Sequence, residues 1–297
     1  MINQAWANVR CLFESPILDD RKWSKIPSIP ADAFILDLED AVPVPGKEAA
    51  RERVLEYLDR PEYFGGRMTV ARPNPLDTPW GRDDVIALAK ARAPMVMLAK
   101  VNSVRDIDEV LAIFAEYGHR PQIVSSIESA QGVLEVESIF KHEAVVASTF
   151  GPGDLHVDAK MALYEPDGSM NPGLLYPKVK TVLAGVAHGV PVLGIAYSPN
   201  IKDLEEMRLR VAEERRLGFS GSCAFYPPHV EIINDIFTAS DGQVVDAREL
   251  VVLYEAAVAA GNPAVQREDG TAVLMHQYQE ALEVLRRAEV HRVTQES

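Results

Sequence analysis

Residues 34–40 read FILDLED. Phe34, Ile35, Leu36 and Leu38 give the run the character of a buried strand, yet Asp37, Glu39 and Asp40 crowd its end. A strand covered on both faces is a near-continuous apolar run, and carboxylates are seldom buried without partners. Three acids at one strand exit therefore need a use at that point.

The same apolar character recurs along the chain. Short β-branched runs stand at 9–13 (VRCLF), 33–38 (AFILDL), 68–71 (MTVA), 95–99 (MVMLA), 122–127 (QIVSSI), 144–150 (AVVASTF), 191–197 (PVLGIAY) and 222–226 (SCAFY). Between them, 47–58 (KEAARERVLEYL), 83–91, 104–117 and 204–218 have helical periodicity with charges on the outer face. Buried strands alternating with helices predict a parallel sheet covered on its faces. Eight such units fit a closed (β/α)8 TIM barrel, a fold of about 250 residues. An open doubly wound sheet favours a glycine-rich turn after its first strand, and 12–20 (LFESPILDD) contains no glycine.

Past residue 240 the pattern changes. Segments 246–260 and 271–290 read as helices joined by 261–270 (GNPAVQREDG), with no strand between. The expected organisation is a catalytic barrel at 1–240 and a C-terminal helical extension at 241–297, serving as a lid or subunit contact.

Bulk composition narrows the function classes. With 47% hydrophobic and 25% charged residues, the chain of 297 residues can bury a large core. A net charge of −14 repels phosphate at long range, which argues against non-specific binding to nucleic acid or anionic membranes. Cys11 and Cys223 lie far apart without metal-ligand spacing, so neither a disulfide framework nor a zinc site is indicated. Without a leader-like start or a membrane-length apolar run, the expectation is a soluble cytoplasmic protein.

In a barrel of this kind the chemistry sits where the strands exit. Those exits carry Glu14, then Asp37, Glu39 and Asp40, Arg72 and Asn74, Lys100 and Asn102, Glu128, Asp154, Tyr197 and Tyr226. Glu128 and Asp154 follow consecutive strands, and two carboxylates without histidine or thiolate suit a hard cation such as Mg²⁺. The glycines of GPGD, Gly151 and Gly153, let the backbone approach a bound group. Each acid also has a plain structural reading, Glu128 as a carboxylate at a helix amino end and Asp154 as an N-cap. Arg72 suits a carboxylate or a developing oxyanion, or else neutralises the acids of FILDLED. Lys100, surrounded by carboxylates, is expected to be an ion-paired, structural or substrate-orienting lysine, because Schiff-base chemistry needs a depressed pKa.

Several stretches taken together resemble a known group. Arg10 before LF, ILDLEDAV (35–42), KEAAR (47–51), RPNPLDTPWG (72–81), AKV (99–101), IESAQGV (127–133), FGPGDL (150–155) and FYP with IINDIFT (225–238) are similar to the citrate lyase β-subunit-like group of the HpcH/HpaI aldolase superfamily. The resemblance spans roughly 9–240 and implies a (β/α)8 barrel binding Mg²⁺, or Mn²⁺, through Glu128 and Asp154. It further implies that Arg72 contacts the substrate acid and that Asp37 and Glu39 support metal-bound water and substrate. Arg10, Lys100 and Gly153 would also lie at the substrate. The implied chemistry is reversible carbon–carbon cleavage of a small β-hydroxy acid or its CoA thioester, of the citryl-, malyl- or citramalyl-CoA kind. It yields an oxo acid and an enolate-derived fragment, in a homo-trimer or homo-hexamer.

Three departures stand out. Ala99 replaces a common proline, and 221–229 (GSCAFYPPH) departs from the family's usual last strand, G-K-x-x-I-H-P-x-Q. In the tail, 269–275 (DGTAVLM) places Leu274 where lyases of the group carry an aspartate, with Asp269 as the nearest acid. These departures keep two other readings open: an acyl-CoA synthase or thioester hydrolase on the same metal site, and a non-catalytic subunit that binds an oxo acid.

Overall fold

The eight apolar runs form eight parallel strands: β1 Cys11–Glu14, β2 Ala33–Asp37, β3 Met68–Arg72, β4 Met95–Leu98, β5 Gln122–Ile127, β6 Val145–Phe150, β7 Val192–Ile195 and β8 Gly221–Ala224. They pair in sequence order and close on themselves, β1 meeting β8 through Cys11↔Ser222, Leu12↔Cys223 and Phe13↔Ala224. This (β/α)8 barrel is seen in a computed structural model that describes residues 4–261, 265–267 and 270–296.

Period-two alternation decides what fills the barrel. Leu12, Ala33, Ile35, Val70, Met97, Val124, Ala147, Leu193, Ile195 and Cys223 form one buried cluster inside it. Trp6 belongs to the same cluster, with its indole Nε1 donating to Met95 Sδ at 3.2 Å, and closes the end where the strands begin. Near the other end the filling turns polar, as the hydroxyls of Ser126 and Thr149 bond at 2.6 Å. Continuing the inward set toward the strand exits gives Glu14, Asp37, Arg72, Glu128 and Tyr197. The alternation that packs the core thus carries chemical groups to one mouth.

The helices between strands fall close to their predicted places: Lys47–Leu58, Gly81–Lys90, Val104–Glu116 and Leu204–Leu217. The last ends at Gly218, whose φ of 96° lies in the left-handed region that glycine enters without strain. Outside the sheet, Trp23, Tyr57, Tyr63 and Phe64 pack ring against ring, and Phe34 joins them through Phe64 at 5.5 Å. Each fully buried ring stabilises the fold by about 2 kcal/mol. Both cysteines are buried and free.

The chain separates into two units, one ending at Asn234 and the other starting at Asp235, a division inside the helix Pro227–Phe237 and ahead of residue 240. In the second unit, helices Asp241–Ala259 and Met275–Glu296 pack through Ala247, Leu250, Tyr254, Val273 and Ala281, with the rings of Tyr254 and Tyr278 stacked at 4.8 Å. The connection is not strand-free as expected. Val265–Gln266 (β9) and Ala272–Val273 (β10) pair antiparallel, because burying Val273 between the helices turns the connection into a short ribbon. Asp269 lies outside the described residues, while Leu274 is 46% exposed. Among the described residues, no helix is long and apolar enough to cross a membrane.

Candidate functional site

All the strand exits share one mouth, and its centre is Arg72. Its Nε donates to Asp37 Oδ1 at 2.6 Å and one Nη2–H to Glu14 Oε1 at 2.9 Å, while Glu39 Oε2 lies 3.5 Å from Nε. Nη1 makes no hydrogen bond among the described residues, so one edge of the fork is left for a ligand. Planar guanidinium held on two sides is well placed to meet a carboxylate on a third.

The acids of FILDLED divide the work. Asp37, fully buried, also accepts the backbone N–H groups of Glu39 and Ala41, both at 2.9 Å, and so shapes the turn after β2. Glu39 accepts from Lys100 Nζ at 2.9 Å, and Asp40 stands at the exposed rim, 3.9 Å from the same ammonium. Lys47 pins the turn from behind, donating to Leu38 O, Glu39 O and Asn74 Oδ1 at 2.7–2.8 Å. Asn74 in turn donates to Asp84 Oδ2 at 2.6 Å, and Asp84 pairs with Arg51 at 2.6 Å. Lys47 and Arg51 therefore do not belong to the charged outer face expected of 47–58. Two cations four residues apart lie on one side of a helix, and here that side faces the mouth.

Glu128 and Asp154 each approach Lys100, one at its backbone and the other at its ammonium. The Lys100 backbone N–H donates to Glu128 Oε1 at 2.7 Å, and its Nζ lies 3.6 Å from Asp154 Oδ1. Lys100 takes a left-handed φ of 53°, a conformation non-glycine residues seldom adopt, and this turns its N–H toward β5. Burial alone works against its charge, but the Glu39 bond and the fields of Glu39, Asp154 and Asp40 hold its pKa above the ordinary lysine value. The expectation of an ion-paired lysine, not a Schiff-base one, fits this environment. Burial first, with Asp154 and Glu39 adding, pushes Glu128 up to about 7 against the pull of the Lys100 N–H. Burial likewise pushes Glu14 up to about 8, with Arg72 opposing and Asp37, Glu39 and Asp40 adding. Such crowding of buried carboxylates is relieved by a cation.

The segment GPGD has a spatial explanation. A Cβ on Gly151 would fall 2.5 Å from Glu128 Oε2, and one on Gly153 would fall 2.7 Å from the Tyr197 hydroxyl. Each glycine makes room for a side chain of the mouth. Gly153 thus turns its Cα toward Tyr197, not toward an open ligand space. Asp154 lies in the first turn of the helix Pro152–Asp158, whose N-cap is Gly151.

Arg10 does not belong here. It precedes β1, while Asp32 precedes β2, and the two pair through Nε at 3.0 Å and Nη2 at 2.8 Å. In a parallel barrel, residues before the strands lie at the mouth opposite to those after them, so this pair staples β1 to β2 away from the chemistry. His156 and His229 are taken up by the carbonyls of Met161 and Ile201. Alongside Glu39 and Lys100 a cavity of about 660 Å³ extends between the exits of β2, β3 and β4. Asp40, Asp77, Asp106 and Glu109 face it against Lys47 and Lys100, so its walls suit an uncharged arm better than phosphates.

Among the described residues no group of three or more His, Cys, Asp and Glu is placed to hold a metal ion. Among the carboxylates of the mouth, Glu128, seated in the hollow left by Gly151, and Asp154 come from neighbouring strand exits. This fits a hard cation that takes its remaining ligands from water and substrate.

Residues 16–227 match the HpcH/HpaI aldolase/citrate lyase family. The chain belongs to that family. Among HpcH/HpaI proteins it is 31% identical over 249 residues to a (3S)-malyl-CoA thioesterase of Cereibacter sphaeroides, covering 84% of each chain. It is 29% identical over 307 residues to the L-malyl-CoA/beta-methylmalyl-CoA lyase of Rhodobacter capsulatus, covering 96% of each. In fold it is similar to the Mycobacterium tuberculosis protein CitE in complex with magnesium, acetoacetate and coenzyme A. The TM-score is 0.78 at 24% identity, with 95% of this chain and 98% of that one covered.

Proposed function

We propose that this HpcH/HpaI chain is a Mg²⁺-dependent carbon–carbon lyase acting on the CoA thioester of a small β-hydroxy acid and releasing an oxo acid. One observation carries the reading. A guanidinium with a free edge, Arg72, shares a single barrel mouth with two carboxylates from neighbouring strand exits, Glu128 and Asp154. Those two acids would hold the ion. When bound, it supplies Lewis-acid stabilisation of charge on the acid's oxygens. Arg72 donates from Nη1 to the substrate oxygen where negative charge develops, and it needs no reorganisation because Asp37 and Glu14 already fix it. Lys100 keeps its proton and orients the substrate carboxylate. Asp37 and Glu39 hold Arg72 and Lys100 in register across the mouth.

Thioester hydrolysis is the second reading. It is favoured by Leu274, an apolar residue at the tail position where an acid was expected, and by the likeness to the malyl-CoA thioesterase. Incubating the chain with (3S)-malyl-CoA and Mg²⁺ separates the two. A lyase forms acetyl-CoA and glyoxylate one for one, and Glu128→Ala or Asp154→Ala abolishes both. Free CoA as the first product makes it a thioesterase. No turnover beside intact Mg²⁺-dependent oxaloacetate binding makes it a binding subunit.

A further inference from the structure

We propose that Tyr197 is a substrate-contacting residue of this mouth, its phenol donating a hydrogen bond to an oxygen of the bound acid from the wall opposite Arg72. The inference deepens the proposed function and rests on it.

Tyr197 continues the inward alternation of β7 after Leu193 and Ile195 and packs on the interior cluster of the barrel. In a closed ring of eight strands, β7 lies four places from β3, so Tyr197 and Arg72 stand on facing walls. The ring is seated on Gly153, where only glycine leaves room: an added Cβ would meet the hydroxyl at 2.7 Å and Cζ at 3.0 Å. That places the phenol beside the residue preceding Asp154. The hydroxyl itself has no hydrogen-bond partner among the described residues. A phenol keeps its proton at neutral pH, so at this mouth it is a donor waiting for an acceptor.

The neighbouring ammonium of the mouth is already engaged. Lys100 is shared among Glu39, Asp40 and Asp154. Tyr226 lies edge-on against His229 at 5.2 Å. Glu14 Oε2 is buried without a hydrogen-bond partner. Among the described residues, the phenol of Tyr197, just past β7, stands on the wall facing the guanidinium with its hydrogen unspent. No bond to the phenol oxygen is made or broken in this role. The proton stays on Tyr197, and the gain comes from a donor already aimed at charge on the ligand.

Tyr197→Phe keeps the ring over Gly153 and removes only the donor. Binding of oxaloacetate at saturating Mg²⁺ is measured by calorimetry on wild type, Tyr197→Phe and Glu128→Ala. Wild type binds, Glu128→Ala does not, and Tyr197→Phe binds about tenfold or more weakly, the loss expected for a hydrogen bond to a charged group. Its Mg²⁺ affinity and melting temperature stay at the wild-type values. Equal oxaloacetate affinity in wild type and Tyr197→Phe overturns the role of the phenol and leaves the metal-site reading standing. Absence of Mg²⁺-dependent binding in the wild type overturns both.

Discussion

The ammonium of Lys100 stands 3.6 Å from Asp154 Oδ1. A cation held by Asp154 must therefore bind beside a positive charge that the same acid already attracts. Lys100→Met removes that competitor. Mg²⁺ affinity is expected to rise several-fold at low salt, with the gain shrinking as salt screens it. Oxaloacetate binding is expected to fall, because Lys100 is one of two cations facing the substrate. Titration calorimetry reads both quantities, and an unchanged Mg²⁺ affinity would show that Asp154 does not hold the ion.

Gly151 separates a requirement of the site from a requirement of the backbone. Its φ of −101° is open to any residue, yet a Cβ there would meet Glu128 Oε2 at 2.5 Å and Glu128 Cβ at 2.8 Å. Gly151→Ala should fold, at a cost of about 1–3 kcal/mol for the overpacked contact. It should also lose Mg²⁺-dependent turnover, because the displaced carboxylate is a proposed ligand. Comparing melting temperature with activity checks this, and full activity would mean that Glu128 is free to move without consequence.

What was legible in the sequence followed from alternation. Strands buried on both faces and alternating with helices announce a barrel, and the residues at the ends of those runs share one mouth, which places Glu14, Asp37, Arg72 and Glu128 together. Arg10 was misassigned because a motif gives nearness in sequence, whereas a parallel barrel sends the two ends of a strand to opposite mouths. Lys47, Arg51 and Asp84 were hidden for another reason. A charged helix residue looks solvated until the chain behind it is known, and here Asn74 and the turn after β2 stand there. The Gly153–Tyr197 seat joins residues 44 apart in number, and no local pattern signals it. The ribbon of β9 and β10 is two residues a side, too short to register as alternation.

Arg72 carries both structure and ligand binding, and two substitutions divide the roles. Arg72→Ala leaves Asp37, fully buried, without its cation and should destabilise the fold by about 3–5 kcal/mol. Arg72→Lys keeps a charge near Asp37 but loses the fork. It should fold while kcat/KM drops on the order of 100-fold, the usual effect of losing one preorganised donor. Urea unfolding and steady-state kinetics measure the two effects, and near-normal kinetics in Arg72→Lys would remove the guanidinium from the reaction.

Away from the mouth, Glu214 gives the fold a pH dependence of its own. Its carboxyl is buried between the helix Leu204–Leu217 and the sheet, so close to Gly194 that a Cβ there would meet it at 2.4–2.5 Å. Oε2 accepts from Ser222 Oγ at 2.8 Å. Burial, with the charge of Glu213 adding, pushes its pKa from 4.5 to about 7 against Lys178 and Ser222. The folded chain therefore holds this proton more tightly than the unfolded chain. The stability it contributes is fully present below pH 4.5 and is lost as pH rises through about 7. Glu214→Gln fills the same space, keeps an acceptor for Ser222 and never ionises. Wild type and variant should unfold alike at low pH, and above neutrality the variant should be more stable by about 1–3 kcal/mol. Denaturant titrations on both sides of neutrality test the sign, and a wild type that keeps pace with Glu214→Gln at high pH would mean the buried carboxylate is neutralised by Lys178.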